Sequence, residues 1–507
     1  MFRVNETRWK GTWWTPGAQG DAKPGTLHYD DDGQLKLELV GGFNLTVQTE
    51  VAPGVWISQA REPLFAVIHG VCGAERFTLF DVVAVHTQGG FLGDVTDQSL
   101  NALRGLRGIH AASAAARIFD SATVRLEYLL GWTAQTTMTA SVTREEGRWT
   151  GEQTAQSTPA GDLTAAYGGM TFTLRVPHTR FRFDDDPLAS QRTVSSREWA
   201  ELEVASPEPL SLDGFSQVIK ATADLMTLCA HAPSGALKRA LRFTGSPEHP
   251  APAGRLGEVE IMGRQIHHPA PDPGRAAGVE YLFTLADVDF AAVFPAWLAL
   301  SEQASTACDV LFGLKYVSQG YTGARLLSAA SSAEALHQSL HDSTPYLERE
   351  FADLLKKALN AFPGKDAESK SARKFIRERL TNHMTYRDRV LTLAAIPDQE
   401  AVASLIPDVE IWANLLKRAR NNVAHAGKGP ARAEDLAKTA GLQHVLTEVT
   451  YALLSIVLMA ELGLPVQVQR RAASVQSFMI AAANYAKDRP GTGNLTALLR
   501  TAKIHHA

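Results

Sequence analysis

DFAAVFPAWLALSEQAS, residues 289–305, is the stretch in which the hydrophobic pattern of the chain changes. Its apolar residues recur at intervals of three and four, which is the period of an amphipathic helix. Up to about residue 285 the apolar residues instead lie in short runs separated by Gly, Pro, Asp and Thr, which is typical of strands. The sequence therefore predicts an α+β protein, with a β-rich domain over residues 1–285 and an α-helical domain over residues 286–507.

Toward the C-terminus the helical period continues in five further segments. They are residues 324–340, 346–362, 371–395, 408–426 and 433–462. We expect Asp408, which follows a proline, to cap the fourth segment, and Gly427 to stop it. The fifth segment is expected to end at Gly463. Together these segments predict an all-α helical bundle with a C-terminal helical tail.

Toward the N-terminus, residues 26–40 predict two extended runs around a turn at Asp32-Gly33, because leucines alternate with polar residues after it. Further β-type runs are residues 54–60, 64–71, 76–85, 123–132, 170–176 and 200–204. Their spacing predicts antiparallel sheets, arranged as a sandwich or a half-open barrel with a few helical insertions. A polar, turn-rich stretch near residues 150–165 is a possible subdivision of this half.

The composition excludes several classes of protein. A chain of 507 residues that is 45% hydrophobic and 21% charged is neither disordered nor fibrous. Its formal net charge of -4 excludes a protein that coats nucleic acid by overall charge. The most apolar stretch, residues 451–460, is far shorter than the roughly 20 residues of a membrane span, so we expect no membrane association. Three widely separated cysteines favour a reducing, cytoplasmic location.

Common catalytic motifs are absent from the sequence. It contains no P-loop, no Gly-rich dinucleotide motif after a strand, no GxSxG elbow and no HExxH pair. We therefore expect no nucleotide cofactor and no catalytic metal.

The segment LLKRARNNVAHAGKG, residues 415–429, carries residues that can do chemistry. Arg420 is followed by Asn421 and, after four intervening residues, by His425. A histidine with a pKa near neutrality can act as a base on a ribose 2′-OH or as an acid on the leaving 5′-oxygen. An arginine can hold the phosphate and stabilise its developing charge. This pattern predicts cleavage of RNA to a 2′,3′-cyclic phosphate and a 5′-OH.

The same segment is basic. Lys417, Arg418 and Lys428 accompany Arg420, and no acidic residue lies between positions 411 and 430. Such a run is usually a solvated helix face, but beside a phosphate site it predicts RNA contacts. The structural alternative for His425 is a helix end, where the helix dipole favours a cation. Glu334, on an earlier helix, is either an ordinary surface acid or a group that orients Arg420.

The extended pattern R-N-x-x-x-H near the end of an α-helical bundle resembles the HEPN superfamily of ribonucleases. The segments WKGTWWTPG (9–17), GTLHYDDDGQLKLELVG (25–41) and FDSATVRLEYLLGW (119–132) resemble the N-terminal domain of the ApeA family, in which a β-rich domain precedes a HEPN domain. The resemblance implies that Arg420 and His425 are the invariant catalytic pair and Asn421 the variable polar position. It also implies an antiphage abortive-infection ribonuclease, a toxin that cleaves host RNA such as tRNA.

Geometry and the resemblance together imply the partners. Five residues along an ideal helix turn through about 500°, so the side chains of Arg420 and His425 would point about 140° apart. The two groups converge if the helix loosens before Gly427, or if two protomers each contribute a pair to one cleft, the usual HEPN arrangement. We therefore expect a homodimer through the helical domain, RNA as substrate and a phage-derived trigger at the β domain. The alternative is a non-catalytic HEPN module for dimerisation or RNA binding, joined to a phage-sensing β domain.

Overall fold

The computed structural model describes residues 7–44, 46–52, 55–60, 63–89, 95–186, 191–243, 257–269, 279–317, 320–341, 344, 346–424 and 433–485. The chain divides into two compact units, Met1–Leu298 and Ala299–Ala507. The first is rich in strands and the second is helical, which confirms the predicted fold class.

Eighteen strands lie in the described part of the first unit. In chain order they are β1 (Thr7–Trp14), β2 (Lys23–Tyr29), β3 (Leu35–Val40), β4 (Thr46–Ala52), β5 (Val55–Ala60), β6 (Leu64–Cys72), β7 (Glu75–Gly89), β8 (Val95–Arg107), β9 (Phe119–Leu126), β10 (Met138–Glu145), β11 (Arg148–Ser157), β12 (Leu163–Tyr167), β13 (Met170–Arg175), β14 (Arg182–Asp186), β15 (Gln191–Ser195), β16 (Glu201–Leu210), β17 (Ala236–Arg242) and β18 (Glu258–Gly263). The helices α1 (Leu129–Thr133) and α2 (Leu212–Ala230) interrupt them.

Six of these strands form a closed barrel in the order β1-β2-β3-β8-β7-β6. The ring closes because β8 pairs with both β3 and β7, while β6 pairs with both β7 and β1. All of these neighbours are antiparallel. The barrel alternative from the sequence is therefore present, but it is closed rather than half-open, so each barrel strand has a partner on both sides.

The barrel interior is filled by large apolar side chains. As predicted, the leucines of β3 are buried and alternate with residues that face outward, and Leu35 and Leu37 are at most 1% exposed. Trp13 is fully buried and lies opposite Gly70 on the neighbouring strand. A Cβ atom on Gly70 would lie 2.2 Å from the indole ring, so only glycine leaves room for the tryptophan.

An open sheet continues from the barrel in the order β18-β17-β9-β16-β13-β12. The link is β8, whose residues 97–102 pair with β3 and whose residues 104–107 pair with β18. Helix α2 packs against β9 and buries Phe215 and Leu225. Three strand pairs form separate two-stranded sheets, namely β4 with β5, β10 with β11 and β14 with β15.

Ten helices follow in the described residues. They are α3 (Phe290–Gln303), α4 (Ser305–Tyr316), α5 (Thr322–Leu340), α6 (Glu348–Asn360), α7 (Ala367–Arg379), α8 (Tyr386–Ala395), α9 (Gln399–Leu405), α10 (Val409–Ala424), α11 (Ala433–Glu461) and α12 (Val466–Tyr485). The division between the two compact units falls inside α3.

The core of the helical unit forms around α5 and α11. Helix α11 packs against α5 and α12, and both α8 and α10 pack against α5. Residues 451–459 are at most 2% exposed, so the most apolar stretch of the sequence lies in this core. Among the described residues, only Gly441–Glu461 is long and apolar enough to span a membrane, and 78% of that window is buried inside the protein. As predicted, α11 ends before Gly463, which has a φ of +71° and donates its N–H to Ala460.

Two expectations from the sequence were wrong in detail. The strand expected over residues 123–132 stops at Leu126, and α1 begins after Tyr128, whose φ of +67° turns the chain. The helix expected over residues 371–395 is broken between α7 and α8. Thr385 ends the break, since its Oγ1 accepts the N–H of residue 388 and caps α8. His383 therefore lies between two helices rather than inside the single helix predicted over residues 371–395.

Candidate functional site

Helix α10 presents the arginine that the sequence singled out. The helix begins as predicted, because Asp408 Oδ1 accepts the N–H of Ile411 at 3.0 Å. Its inner face is formed by Trp412, Ala413, Leu416 and Ala419, all buried at helical spacing. Arg420 follows this face directly, so it lies at the margin of the core with 33% of its side chain exposed.

Two neighbouring helices hold the guanidinium of Arg420. Its Nη2 donates to Oε2 of Glu334 on α5 at 3.0 Å. Its Cζ also lies 4.7 Å from the ring centroid of Tyr386 on α8, which is a cation–π contact. The group is thus held by a charge and by an aromatic ring, and one third of it remains accessible.

Glu334 serves a second arginine. Its Oε1 accepts a hydrogen bond from Nη1 of Arg389 at 3.1 Å, and only 13% of the Arg389 side chain is exposed. Arginine stays protonated in proteins, so two positively charged guanidinium groups share a single negatively charged carboxylate. The cluster therefore keeps a net positive charge and is suited to attract an anion such as a phosphate.

Tyr386 is fixed in place beneath Arg420. It is 9% exposed, and its hydroxyl donates to the carbonyl oxygen of Ala330 at 3.3 Å. Burial raises the pKa of the Tyr386 hydroxyl well above its usual value, so the ring stays neutral. The tyrosine thereby ties α8 to the same helix that carries Glu334.

The described residues contain part of the site predicted from the sequence. Lys417, Arg418 and Asn421 are exposed on α10, next to Arg420 in sequence. At 100° per residue, Lys417 lies about 60° from Arg420 around the helix, whereas Arg418 lies about 160° from it in the same direction, near the opposite face of the helix. His425 and Lys428 lie outside the described residues. The structure therefore groups Arg420 with Glu334, Tyr386 and Arg389, of which the sequence had indicated only Glu334 as a candidate.

His337 lies one turn beyond Glu334 on α5, and His341 directly follows the end of that helix. His337 is 2% exposed, and its ring centroid is 5.1 Å from that of His341. Burial, together with the nearby His341 and Arg389, lowers the pKa of His337 to about 4. His337 is therefore neutral at physiological pH. In the sequence, His337 is marked only by its position three residues after Glu334, and this spacing does not distinguish a functional histidine from any other helix residue.

Two other kinds of chemistry find no support in the described part of the chain. No group of three or more His, Cys, Asp or Glu side chains there is arranged to hold a metal ion. The cysteines Cys72, Cys229 and Cys308 are buried and form no disulfide. Burial raises the pKa of Cys72 to about 11, which makes a thiolate nucleophile unfavourable.

Comparisons with known proteins match both halves of the chain. The family model of ApeA N-terminal domain 1 matches residues 8–297, and the model of the Apea-like HEPN domain matches residues 327–467. The second match includes Glu334, Tyr386, Arg389 and Arg420. No curated protein and no solved structure gave a significant match. With more than half of the chain matched by its N-terminal domain model, the protein belongs to the ApeA family, and a HEPN domain follows that N-terminal domain.

Proposed function

We propose that this protein is a metal-independent endoribonuclease of the HEPN type that acts in antiphage abortive infection by cleaving host RNA, with tRNA as the first candidate substrate. The observation that carries the proposal is the placement of Arg420. Its guanidinium is held by Glu334 and Tyr386 while a third of the side chain stays exposed, five residues before His425 in sequence. Such a preorganised cation is suited to bind a phosphate and to stabilise the charge that develops on it.

The proposed reaction uses two groups of this chain. His425 accepts the proton of a ribose 2′-OH, and the 2′-oxygen attacks the adjacent phosphorus atom. The bond from phosphorus to the 5′-oxygen breaks, and that oxygen takes up a proton to leave as a 5′-OH. The other product is a 2′,3′-cyclic phosphate. Arg420 binds the non-bridging oxygens throughout, and Asn421, Lys417, Arg418 and Lys428 are proposed to contact the flanking RNA.

Cleavage of purified total tRNA in EDTA tests the proposal. The native protein should give fragments with 5′-OH ends that accept phosphate from a polynucleotide kinase without prior dephosphorylation. His425→Ala and Arg420→Ala, purified in the same way, should give none. Activity that vanishes in EDTA and returns with Mg²⁺ would overturn the metal-independent mechanism. Equal activity in the native protein and both variants would identify a contaminating nuclease.

One observation favours a second candidate function. Arg420 already has an ionic partner and an aromatic partner, as a purely structural arginine would. In that case the helical unit is a non-catalytic HEPN module for dimerisation or RNA binding, and the β-rich unit senses a phage-derived trigger. This candidate predicts that Arg420→Ala lowers the melting temperature and that no cleavage product forms under any condition.

A further inference from the structure

The helices α6 and α7 form a hairpin, residues 348–379, that differs from the rest of the helical unit. Neither helix contains a buried residue. The main tertiary contact of α6 is with α7. Because burial of apolar surface is the main source of folding free energy, this hairpin contributes little to the core. Its surface sequence is therefore available for another role.

Helix α7 carries four basic residues on one face. Lys370, Arg373, Lys374 and Arg377 follow the spacing i, i+3, i+4 and i+7, which places them within about 100° of the helix circumference. We call these four residues the basic stripe. Lys370, Lys374 and Arg377 are exposed, and Arg373 is partly exposed.

The basic stripe is unfavourable for the isolated helix. Like charges three and four residues apart face each other on a helix and destabilise it. Within the hairpin, Lys374 lies 3.8 Å from Glu378, but both side chains are more than half exposed, so water screens the pair. Arg373 donates to the carbonyl oxygen of Phe362 at 2.7 Å, which leaves its charge uncompensated. An external anion would relieve this repulsion.

The hairpin is rooted beside the candidate site. It lies in the chain between α5, which carries Glu334, and α8, which carries Tyr386. The side chain of Asn382 joins the two ends of the hairpin, because it donates to the carbonyl of Tyr346 at 2.9 Å and accepts the N–H of the same residue at 3.1 Å. Arg377 precedes Tyr386 by nine residues, a chain length that reaches about 30 Å at most.

We propose that the basic stripe binds backbone phosphates of the RNA whose scissile phosphate lies at Arg420. This inference rests on the proposed function and adds a second RNA contact to it. From Lys370 to Arg377 the stripe is about 10 Å long. A nucleic-acid strand with a charge about every 3.4 Å presents roughly three phosphates over that length. Such contacts carry no base specificity and set the position of the strand.

A protein partner is the competing occupant of the hairpin. Leu347 and Leu354, in or next to α6, are 73% and 39% exposed, and Phe375 on α7 is 62% exposed, so these side chains would suit an apolar partner. The stripe instead lies about 100° around α7 from Phe375 and consists of charged residues alone. A polyanion satisfies all four residues at once, whereas an apolar partner would have to desolvate them at a cost.

The test measures binding of a fluorescent 20-nucleotide single-stranded RNA by anisotropy between 50 and 200 mM salt. The binding protein is the full chain with His425→Ala, so that RNA is not consumed. In that background the triple variant Lys370→Ala, Lys374→Ala and Arg377→Ala should bind about tenfold or more weakly. The slope of log K against log salt should fall by about 2–3. Arg373 is kept because it bonds to Phe362 within the hairpin.

A matched triple variant provides the control. Arg349, Lys356 and Lys357 are exposed basic residues of the same hairpin but lie on α6. Changing these three residues to Ala removes the same amount of charge and should leave the affinity for RNA within about threefold of that of the His425→Ala parent. An equal loss of RNA affinity in both triple variants would show that the effect depends only on overall charge and would overturn the inference. Both proteins should show melting curves like that of the parent.

Other outcomes separate this inference from the proposed function. If the native chain cleaves RNA and the α7 triple binds it like the parent, the stripe is not an RNA site and the proposed function stands. If the native chain neither binds nor cleaves RNA, both the inference and the proposed function are wrong. If Leu347→Ser with Leu354→Ser changes the mass of the protein in solution while the α7 triple does not affect RNA binding, the hairpin is a protein interface and the inference is wrong.

Discussion

The guanidinium of Arg420 lies over the ring of Tyr386, with 4.7 Å between the guanidinium carbon and the ring centroid. The hydroxyl of this tyrosine bonds to Ala330, one turn before Glu334 on α5. Tyr386 and Glu334 therefore fix the arginine from two helices that are themselves joined. A cation over an aromatic ring contributes about 0.5–2 kcal/mol, the larger value where water is excluded.

Removal of the Tyr386 ring should slow RNA cleavage. Tyr386→Leu loses the cation–π contact of Arg420, and a loss of about 1–2 kcal/mol corresponds to roughly a 5- to 30-fold lower kcat/KM. Tyr386→Phe keeps the ring and should stay within about threefold of the native rate. Tyr346→Leu changes an exposed tyrosine and serves as the control. Native cleavage by the leucine variant at an unchanged melting temperature would show that the ring does not position Arg420.

Glu334→Gln should separate RNA binding from cleavage. The neutral amide no longer competes with phosphate for Arg420, so RNA should bind several-fold more tightly. The arginine also loses the carboxylate that positions it, so kcat should fall by about tenfold. Anisotropy and single-turnover cleavage measure the two effects. Weaker binding in this variant would mean that Glu334 supports the RNA site in another way.

His425→Ala should abolish cleavage and leave RNA binding largely intact. A general acid–base residue contributes about 10²–10⁴-fold to a rate. Arg420→Ala should also stop cleavage, but it should weaken RNA binding as well, since it removes a phosphate contact. Gel assays of cleavage, anisotropy and matched melting curves distinguish these effects from unfolding.

His383 is the internal control for His425, because it follows Arg377 at a spacing similar to that between Arg420 and His425. His383 is exposed in the segment between α7 and α8, so His383→Ala should leave cleavage unchanged. Loss of activity in His383→Ala with retention in His425→Ala would show that the wrong histidine was chosen.

The stability of the protein should depend on pH through His337. The folded-state pKa of about 4 lies below the unfolded value of about 6.5, so between these values the unfolded chain binds a proton that the folded chain does not. The stability linked to this neutral histidine is present above pH 6.5 and is lost as pH falls toward 4, by at most about 1.4 kcal/mol per pH unit. Between pH 7 and pH 5, the His337→Gln variant should lose less free energy of unfolding than the native protein does, as measured by urea unfolding. His383→Gln should behave like the native protein, and equal pH dependence in all three would contradict the prediction.

The protein should be a dimer in solution. If two protomers share one cleft, the mass at micromolar concentration should be twice the 54.9 kDa of one chain. Sedimentation equilibrium or mass photometry can measure it. The His425→Ala variant should have the same mass. A strict monomer that still cleaves RNA would contradict the shared cleft.

The periodic features of the fold could be predicted from the sequence because they depend on local patterns. The leucines of β3, the cap at Asp408 and the apolar run of α11 each produce a signal within a few residues. The closing pair of the barrel could not be predicted, since the pairing of β7 with β8 depends on contacts between strands and not on either strand alone. The break at Thr385 was missed because the helical period continues through it.

The candidate site was predictable only where it is local in sequence. Arg420 was found from its short motif. Tyr386 and Arg389 contact the arginine and its carboxylate across the bundle, and nothing in TYRDR distinguishes them from an ordinary helix start. A cluster contributed by three separate helices becomes visible only when their packing is known.

The shared strand β8 has a consequence for the order of folding. All six barrel strands lie within residues 7–107, so the barrel can close while the remaining chain is still being synthesised. When it does, the outer edge of β8 at Arg104–Arg107 lacks its partner, which is encoded about 150 residues later in β18. This short edge then acts as the template on which the open sheet assembles. A ribosome-bound chain from which residues up to about 110 have emerged should therefore already contain a folded barrel, whereas the open sheet can join the barrel only after residue 263 has emerged.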